Sequence, residues 1–493
     1  MNILLINPEF PDTYWSFKHA IKFISKKAVS PPLGLLTVAA MLPEDWERKL
    51  VDTNIEKLRE KDIKWADYIF LSAMSVQSES ADAIIDRCQK AGRKVVAGGP
   101  HFTGNFEKYN HVDHLILNEA ELTFPEFLAG YEANWPWRVY STKEFADMRS
   151  SPVPDYSLID VKQYAQVPIQ FSRGCPYDCE FCEITALLGR KFRTKESSQI
   201  LLELDNIYNT GFRGSVFFVD DNFIGNKKKL KEDLLPAIIE WNTIHRMPFS
   251  YTTEASIDLS DDQVLIDMMS EAGFVKVFVG IETPDEDSLR ECNKRLNLNR
   301  DLVKSVKSIQ NGGIEVSAGF IVGFDNDKPG VFERQISFIQ ESGIITAMVG
   351  LLNAPSRTRL YKRLQKEGRI TGTADGNNTN YSINFIPRMD KEKLLAGYKT
   401  ILNNIYSGKA YHERVLSFIN NYKPRVNRRP GITMEKFGAL IKSIWTLGIV
   451  SRNRRNYWKL FFWSLFNRPD MLPLAITYSV YGYHFRKVFG IKK

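Results

Sequence analysis

The chain is poor in cysteine. Five in 493 residues are too few to staple a secreted domain with disulfides. Cys175, Cys179 and Cys182 fall within eight residues, while Cys88 and Cys292 stand alone. That clustering points to a metal site in a reducing compartment. Long apolar runs are also missing from the C-terminal region, where the longest uncharged stretch is the 15 residues 471–485, counting His484 as neutral. A bilayer span needs about 20 residues, and Pro473 weakens this one further, so it is not read as transmembrane. The opening residues Met1-Asn2-Ile3-Leu4-Leu5-Ile6-Asn7-Pro8 lack the basic start and small-residue cleavage site of a signal peptide. They read as a buried first strand, and the chain is expected in the cytoplasm. There is no low-complexity tract; 43% hydrophobic and 25% charged residues is a globular composition.

A chain this long calls for two or three domains. Its net charge of +8 is uneven. Residues 423–493 hold 15 Lys and Arg against only Glu435 and Asp470, a local +13 that leaves −5 for the remainder. The basic character belongs to the C-terminal segment.

Residues 1–135 alternate strand and helix. Short apolar runs at 3–6, 49–51, 68–72 and 94–97 suit buried parallel strands. Pro32-Leu33-Gly34-Leu35-Leu36 opens a crossover helix, and 80–91 reads as another. Asp52, Ser72 and Gly98-Gly99-Pro100 fall at strand ends, the edge where open α/β sheets bind ligands. This half reads as Rossmann-like. A polar stretch with Pro136, Pro152 and Pro154 marks a linker at 136–165. A second βα series occupies 166–377, with strands predicted at 167–172, 215–219, 249–254, 275–281, 315–322 and 347–352 and helices at 198–208, 230–242 and 302–310. Six strands with crossovers suit a partial (β/α)6 barrel, with chemistry at the strands' carboxyl ends. Residues 378–493 read as helical. Phe437, Leu440, Ile441, Ile444 and Trp445 repeat at the spacing of one helix face.

The strongest chemical signal is Arg173-Gly174-Cys175-Pro176-Tyr177-Asp178-Cys179-Glu180-Phe181-Cys182, just after a predicted strand. Three thiolates on one loop can hold three irons of a four-iron cluster and leave the fourth open. A structural zinc ion usually takes four protein ligands in paired spacing, and no fourth Cys or His lies nearby. The CxxxCxxC spacing, with an aromatic before the last cysteine, resembles the radical S-adenosylmethionine (SAM) superfamily.

That resemblance implies a 4Fe-4S cluster on Cys175, Cys179 and Cys182, whose open iron chelates SAM. One electron then yields a 5′-deoxyadenosyl radical. It also implies an external one-electron reductase of flavodoxin or ferredoxin type. Further positions match in order along the barrel. Asp220, Asp221 and Asn222 end the second strand, where the superfamily grips the SAM amino group. Glu254 ends the third strand as a candidate for the ribose hydroxyls, Glu282 ends the fourth, and Phe181 is placed to pack on adenine. For each acid the alternative is a helix cap or a solvated strand end.

The N-terminal half resembles the cobalamin-binding domain that precedes the barrel in one radical SAM class. The matching pieces are Pro32, Leu33, Gly34, Asp52, Ser72, Met74, Gly98, Gly99, Pro100 and Glu119. Glycines let a backbone approach a corrin. The Asp-x-His-x-x-Gly motif that supplies an imidazole to cobalt is absent, and His101 reads as a loop residue. A purely structural Rossmann domain is the alternative. Across almost the whole chain the order of pieces resembles the subgroup containing the hopanoid C-2 methylases. This covers Pro8-Glu9-Phe10-Pro11-Asp12-Thr13, Trp15-Ser16-Phe17-Lys18-His19-Ala20 and the helical extension. Asn353-Ala354-Pro355-Ser356-Arg357-Thr358 departs from that pattern, so the substrate does not carry over. The resemblance implies a cobalamin-dependent C-methyltransferase acting on an unactivated carbon of a hydrophobic, lipid or terpenoid substrate. Radical C–C coupling, cyclisation or oxidative rearrangement are rival reactions, and a membrane-docked iron–sulfur or cobalamin sensor is the non-catalytic rival. The basic, aromatic tail suits peripheral contact with an anionic membrane or a cap on the barrel. No nucleic-acid module is recognisable, so no nucleic-acid partner is expected.

Overall fold

The computed structural model describes residues 1–425 and 434–491. The parts of the basic tail at 426–433 and 492–493 lie outside the described residues. Two six-stranded parallel sheets organise the chain. The first comprises β1 (Asn2–Asn7), β2 (Glu47–Asp52), β3 (Tyr68–Ser72), β4 (Lys94–Gly98), β5 (His114–Ile116) and β6 (Val139–Tyr140), in the order β2-β1-β3-β4-β5-β6. Ile3, Leu4, Leu5 and Ile6 are all fully buried, as a strand covered on both faces requires. The strand order reverses between β1 and β3, which makes the crevice at their carboxyl ends the switch point. Sequence reading finds the first four strands and misses β5 and β6, which are too short to show a period. Because β6 pairs with β5, this sheet reaches into the stretch read as linker.

The second half opens with β7 (Gln166–Ile169) and a short antiparallel pair, β8 (Ser172–Arg173) with β9 (Arg193–Thr194). Then β10 (Ser215–Phe218), β11 (Ser250–Glu254), β12 (Phe274–Glu282), β13 (Glu315–Val322) and β14 (Ala347–Leu351) join β7 in chain order. This is the expected partial (β/α)6 barrel. Its first strand ends at Ile169 rather than at 172, because the Asp220 carboxylate takes the Ser172 N–H and hydroxyl and turns the chain out of the sheet. The crossover helices follow local rules. Asp301 caps Leu302–Asn311 by accepting from the Lys304 N–H at 2.9 Å, and the helix buries Leu302, Val306 and Ile309. Gly313, at φ +88°, follows its end.

Among the described residues no pairing joins β14 back to β7. Distant parts of the chain fill that gap. Fully buried Tyr14 stacks on Phe485 at 4.4 Å between centroids. The Tyr406 hydroxyl donates to the Ala347 carbonyl at the start of β14 (2.6 Å), so Tyr14 donates to Tyr406 (3.0 Å). Further on, Ala28 bridges Tyr164 just ahead of β7. Helix Leu472–Val488 backs this seam. Burial pushes His484 down to about 4, so a neutral imidazole donates from Nε2 to the Tyr14 carbonyl at 3.0 Å. The segment around Trp15–Ala20 and the C-terminal extension therefore form one unit that seals the barrel.

The extension contains helices Lys391–Ile405, Gly408–Asn421, Met434–Ser443, Arg454–Asn467 and Leu472–Val488, with a π-helical turn at Ile444–Val450. It shares one apolar core with the barrel. Phe437, Ile441 and Trp445, three of the five residues that repeat on one helix face, are exposed. Among the described residues no helix is long and apolar enough to cross a membrane.

Tyr14→Ala should lower the stability of the barrel by about 3 kcal/mol or more, as for other buried aromatic truncations. Tyr14→Phe removes one hydroxyl whose partner stays bonded to Ala347 and should cost about 1 kcal/mol or less. Urea unfolding followed by tryptophan fluorescence distinguishes the two.

Candidate active site

The loop from 174 to 192 leaves the β8–β9 pair, which closes its base. Gly174 has φ +90°, and a Cβ there would collide with the Lys191 carbonyl, so only glycine fits this throat. The loop is pinned by residues other than its cysteines. Glu180 N–H donates to the Cys292 carbonyl (2.9 Å), Asn293 donates to the Asp178 carbonyl (2.9 Å), and Arg363 holds the Glu180 carboxylate through two bonds of 2.8 and 3.0 Å. The three thiols are left unbridged and partly accessible. Burial pushes all three up, Cys182 to about 12, so the charge that deprotonates them has to come with the metal. No three Cys, His, Asp or Glu side chains among the described residues converge on a single ion. A cubane, which places its irons on separate thiolates, suits this donor set better than one zinc.

At the carboxyl end of the barrel the predicted acids divide by role. Asp220 is fully buried and spends its oxygens on the Phe171 and Ser172 N–H groups and the Ser172 hydroxyl. It is a brace for β8, not a free ligand. Asn222 accepts from the Ser256 N–H (3.0 Å) and hydroxyl (3.2 Å), and so holds the turn after β11. Asp221 keeps a buried Oδ2 with no partner, and burial pushes it up to about 6. Glu254 is raised to about 8, by burial first and then by Asp221 and Asp220. Crowded carboxyls of this kind are relieved by a cation, and SAM carries two, its ammonium and its sulfonium.

Glu282 ends β12 in a left-handed conformation (φ +66°) and pairs with Lys294 at 2.9 Å. A Cβ on Gly280 would collide with the Glu282 carboxylate and stand 2.7 Å from the Lys294 ammonium. Burial opposes the charge on Lys294, but Glu282 and Cys179 override it and hold its pKa above the ordinary lysine value. The sequence offers no period or motif that singles out Lys294. Phe181 packs against Phe324, 6.2 Å between centroids.

Side chains alternate along β12. Val277, Val279 and Ile281 are buried in the main core, so Lys276, Phe278 and Gly280 face the lumen. Lys276 pairs with Glu315 (3.0 Å) under the Tyr481 ring. Phe278 meets Trp15 edge-on at 5.4 Å. A Cβ on Gly319 would lie 2.9 Å from Phe278 and 3.8 Å from Met348. The lumen thus has a polar floor, an apolar middle and a charged rim at the cysteine loop.

On the first sheet, Pro32, Leu33 and Gly34 begin helix Leu33–Ala39, Ser72 ends β3, and Gly98-Gly99-Pro100 lead from β4 into helix Pro100–Asn105. Gly99 has φ +90°, and a Cβ would stand 2.5 Å from Ser72 Oγ; nothing lies within 4 Å of a Cβ on Gly34. Met74, just past β3, is 54% exposed. An open glycine shelf with an uncovered thioether beside the switch point fits a flat macrocycle. Two predicted contacts do not. Asp52 accepts from the Tyr164 hydroxyl (2.9 Å) and from Asn54 (2.7 and 2.9 Å), which ties it to the turn and to the chain leading into the barrel. Glu119 is engaged by Arg193 through 2.6 and 2.8 Å bonds, by Arg173 at 3.3 Å and by the Ala146 N–H at 3.0 Å. His101 is helical and buried rather than a loop residue. The Tyr109 hydroxyl donates to Asp82, so Nε2 of His101 donates to Tyr109 at 2.6 Å.

Glu119 belongs to a clamp missed by sequence reading, although Arg173 sits two residues ahead of Cys175. Glu121 takes the same guanidinium at 2.8 and 2.9 Å. Burial would raise Glu121, but Arg173 overrides it and brings its carboxyl down to about 2. Four nearly buried charges thereby join the first sheet to the base of the cysteine loop.

Family comparisons agree with this geometry. The Radical SAM superfamily matches residues 169–339, the B12 binding domain 23–128, and a domain of unknown function, DUF4070, 358–492. The chain is 33% identical to the hopanoid C-2 methylase of Rhodopseudomonas palustris over 94% of its own length and 88% of the relative's. It belongs to the cobalamin-binding radical SAM family. An uncharacterized methyltransferase of Synechocystis sp. is 38% identical over 98% of this chain and 91% of that one. Among solved structures, the radical SAM methyltransferase TsrM from Kitasatospora setae, with cobalamin and a [4Fe-4S] cluster bound, covers 99% of both chains at a TM-score of 0.61 and 14% identity. This radical SAM enzyme accordingly uses a 4Fe-4S cluster, SAM and cobalamin.

In this radical SAM enzyme, Arg173→Ala should cost about 3–5 kcal/mol, because it leaves the buried Glu121 carboxylate without its counter-ion. Glu121, with a folded pKa depressed from 4.5 to about 2, contributes about 3 kcal/mol that is complete above pH 4.5 and lost as pH falls toward 2. Urea midpoints between pH 3 and 6 should show that slope, and Glu121→Gln should flatten it.

Proposed function

We propose that this protein is a C-methyltransferase acting on an unactivated carbon of a hopanoid-like lipid or terpenoid, working as a peripheral protein at the inner face of the membrane. The observation that carries the reading is the nearly full-length likeness to a hopanoid methylase, which covers 94% of the chain and so extends well beyond the barrel. The apolar middle of the lumen supports a hydrophobic substrate. The enzyme needs an outside one-electron donor, here assigned to the flavodoxin or ferredoxin class.

Bound together, the cofactors supply a hydrogen-abstracting radical and a transferable methyl group. The protein's part is placement. Cys175, Cys179 and Cys182 hold the cluster, and Asp221 and Glu254 receive the cationic end of SAM. The Glu282–Lys294 pair carries one charge of each sign beside the cysteines. The Pro32–Gly34, Ser72–Met74 and Gly98–Pro100 shelf would hold cobalamin. Trp15, Phe278 and Met348 keep the reacting region dry.

Cys179→Ala should abolish 5′-deoxyadenosine formation under reducing conditions, measured by chromatography; retained activity would dismiss the cluster assignment. With Asp221 raised to about 6 and Glu254 to about 8, SAM binding requires proton loss, so affinity should rise as pH increases from 6 to 8.5 and then level off. Calorimetric titration checks the slope, which Glu254→Gln should reduce. Lipid mass spectrometry of cells with and without the gene tests the reaction. Gain of one CH₂ unit supports methyl transfer, whereas loss of two hydrogens or joined chains would replace it with radical coupling.

A further inference from the structure

The apolar stripe that fails to enter the core is concentrated in one place. Of the nineteen exposed large hydrophobic side chains among the described residues, nine fall between Met434 and Phe466. They lie on two successive helical stretches, Met434–Ser443 continuing through Ile444–Val450, and Arg454–Asn467. Trp445 is 63% exposed and Phe466 78%. The opposite face of the pair is well anchored. Leu447 and Tyr457 pack with Ala20, Phe23 and Val480, and the Ser443 and Tyr457 hydroxyls are bonded at 2.9 Å. The Trp458 indole donates to the Gly448 carbonyl at 2.9 Å, locking one helix to the other. The exposed face is therefore a fixed feature of a folded hairpin.

Its charge is almost all of one sign. Glu435 is the one acid from 434 to 469, against seven Lys and Arg. Arg452, Arg454, Arg455 and Lys459 are exposed at the edge of the apolar residues. Arg454, Arg455, Lys459, Trp458 and Phe462 line an open groove where the helices meet. Aromatic and aliphatic side chains rimmed by arginine and lysine match the boundary of an anionic bilayer, where apolar groups enter the acyl region and cations stay with the phosphates.

We propose that this hairpin is the membrane-docking surface of the enzyme and that its partner is a bilayer containing anionic phospholipid. The proposal deepens the peripheral-membrane reading above and rests on it for the choice of a lipid surface. The hairpin packs directly on Ala20 and Phe23, in the segment that carries Trp15 to the lumen. Docking here would bring the barrel seam next to the lipid.

The test is flotation of the full-length holoenzyme with vesicles of phosphatidylcholine alone and of phosphatidylcholine with 30% phosphatidylglycerol. The protein should float with the anionic vesicles, far less with the neutral ones, and be released by high salt. Arg454→Ala with Arg455→Ala should weaken binding about 25-fold, at about fivefold per basic residue. Phe437→Ser with Trp445→Ser should abolish it. Both double variants should keep the wild-type circular dichroism and 5′-deoxyadenosine formation in detergent. Wild-type protein that stays down with anionic vesicles overturns the proposal, as do folded variants that float like wild type. A dimer in analytical ultracentrifugation that the Trp445 variant breaks, without vesicle binding, would assign the face to a second copy instead. A failed substrate assignment would appear only in the lipid masses and would leave flotation unchanged.

Discussion

The arrangement depends on a buried ionic junction. Arg173 and Arg193 stand at the two ends of the cysteine loop's base; beyond β5 of the first sheet, Arg173 reaches Glu119 and Glu121, and Arg193 reaches Glu119. A charge pair taken out of water returns little net stability, but its directional bonds tolerate few alternative arrangements. Here those bonds set the distance and angle between the edge that suits cobalamin and the loop that suits the cluster. Two domains whose sheets bury largely separate cores could otherwise rock against each other. Asp52 with Tyr164 adds a second tie, from the end of β2 to the chain leading into β7.

Much of this was legible in the sequence, and the limits have physical causes. Buried parallel strands appear as apolar runs, so four strands of the first sheet and all six of the barrel could be located. The two- and three-residue strands could not, because a period needs length to be visible. The cysteine loop was legible because ligand chemistry demands fixed spacing. The acids at strand ends were harder. Asp220, Asp221 and Asn222 are neighbours in sequence, yet one braces the backbone, one is left unpartnered and one holds a turn. Which role each takes is decided by groups 30 to 50 residues away. Glu119 and Asp52 misled for the same reason, since a strand-end carboxylate meets either a ligand or another domain. Lys294 gave no signal, because nothing local marks a lysine that will be buried beside cysteines.

The exposed stripe on Met434–Ser443 shows a further limit of periodicity. Phe437, Ile441 and Trp445 repeat as a core face would, but periodicity reports that a face is apolar, not what covers it. The lumen shows the converse. Its polar floor at Lys276 and Glu315, apolar middle at Phe278 and charged rim at Glu282 and Lys294 come from alternate residues of strands whose other face is uniformly core.

The seam between β14 and β7 has a consequence for how the enzyme is made. Tyr14 meets its stacking partner only at Phe485, across nearly the whole chain. During synthesis the six barrel strands and the cysteine loop leave the ribosome well before that contact can form. The barrel therefore stays open on one side until Phe485 has been made, and closure comes as an event of high sequence separation. The order of assembly is thus written into the distance between those two rings.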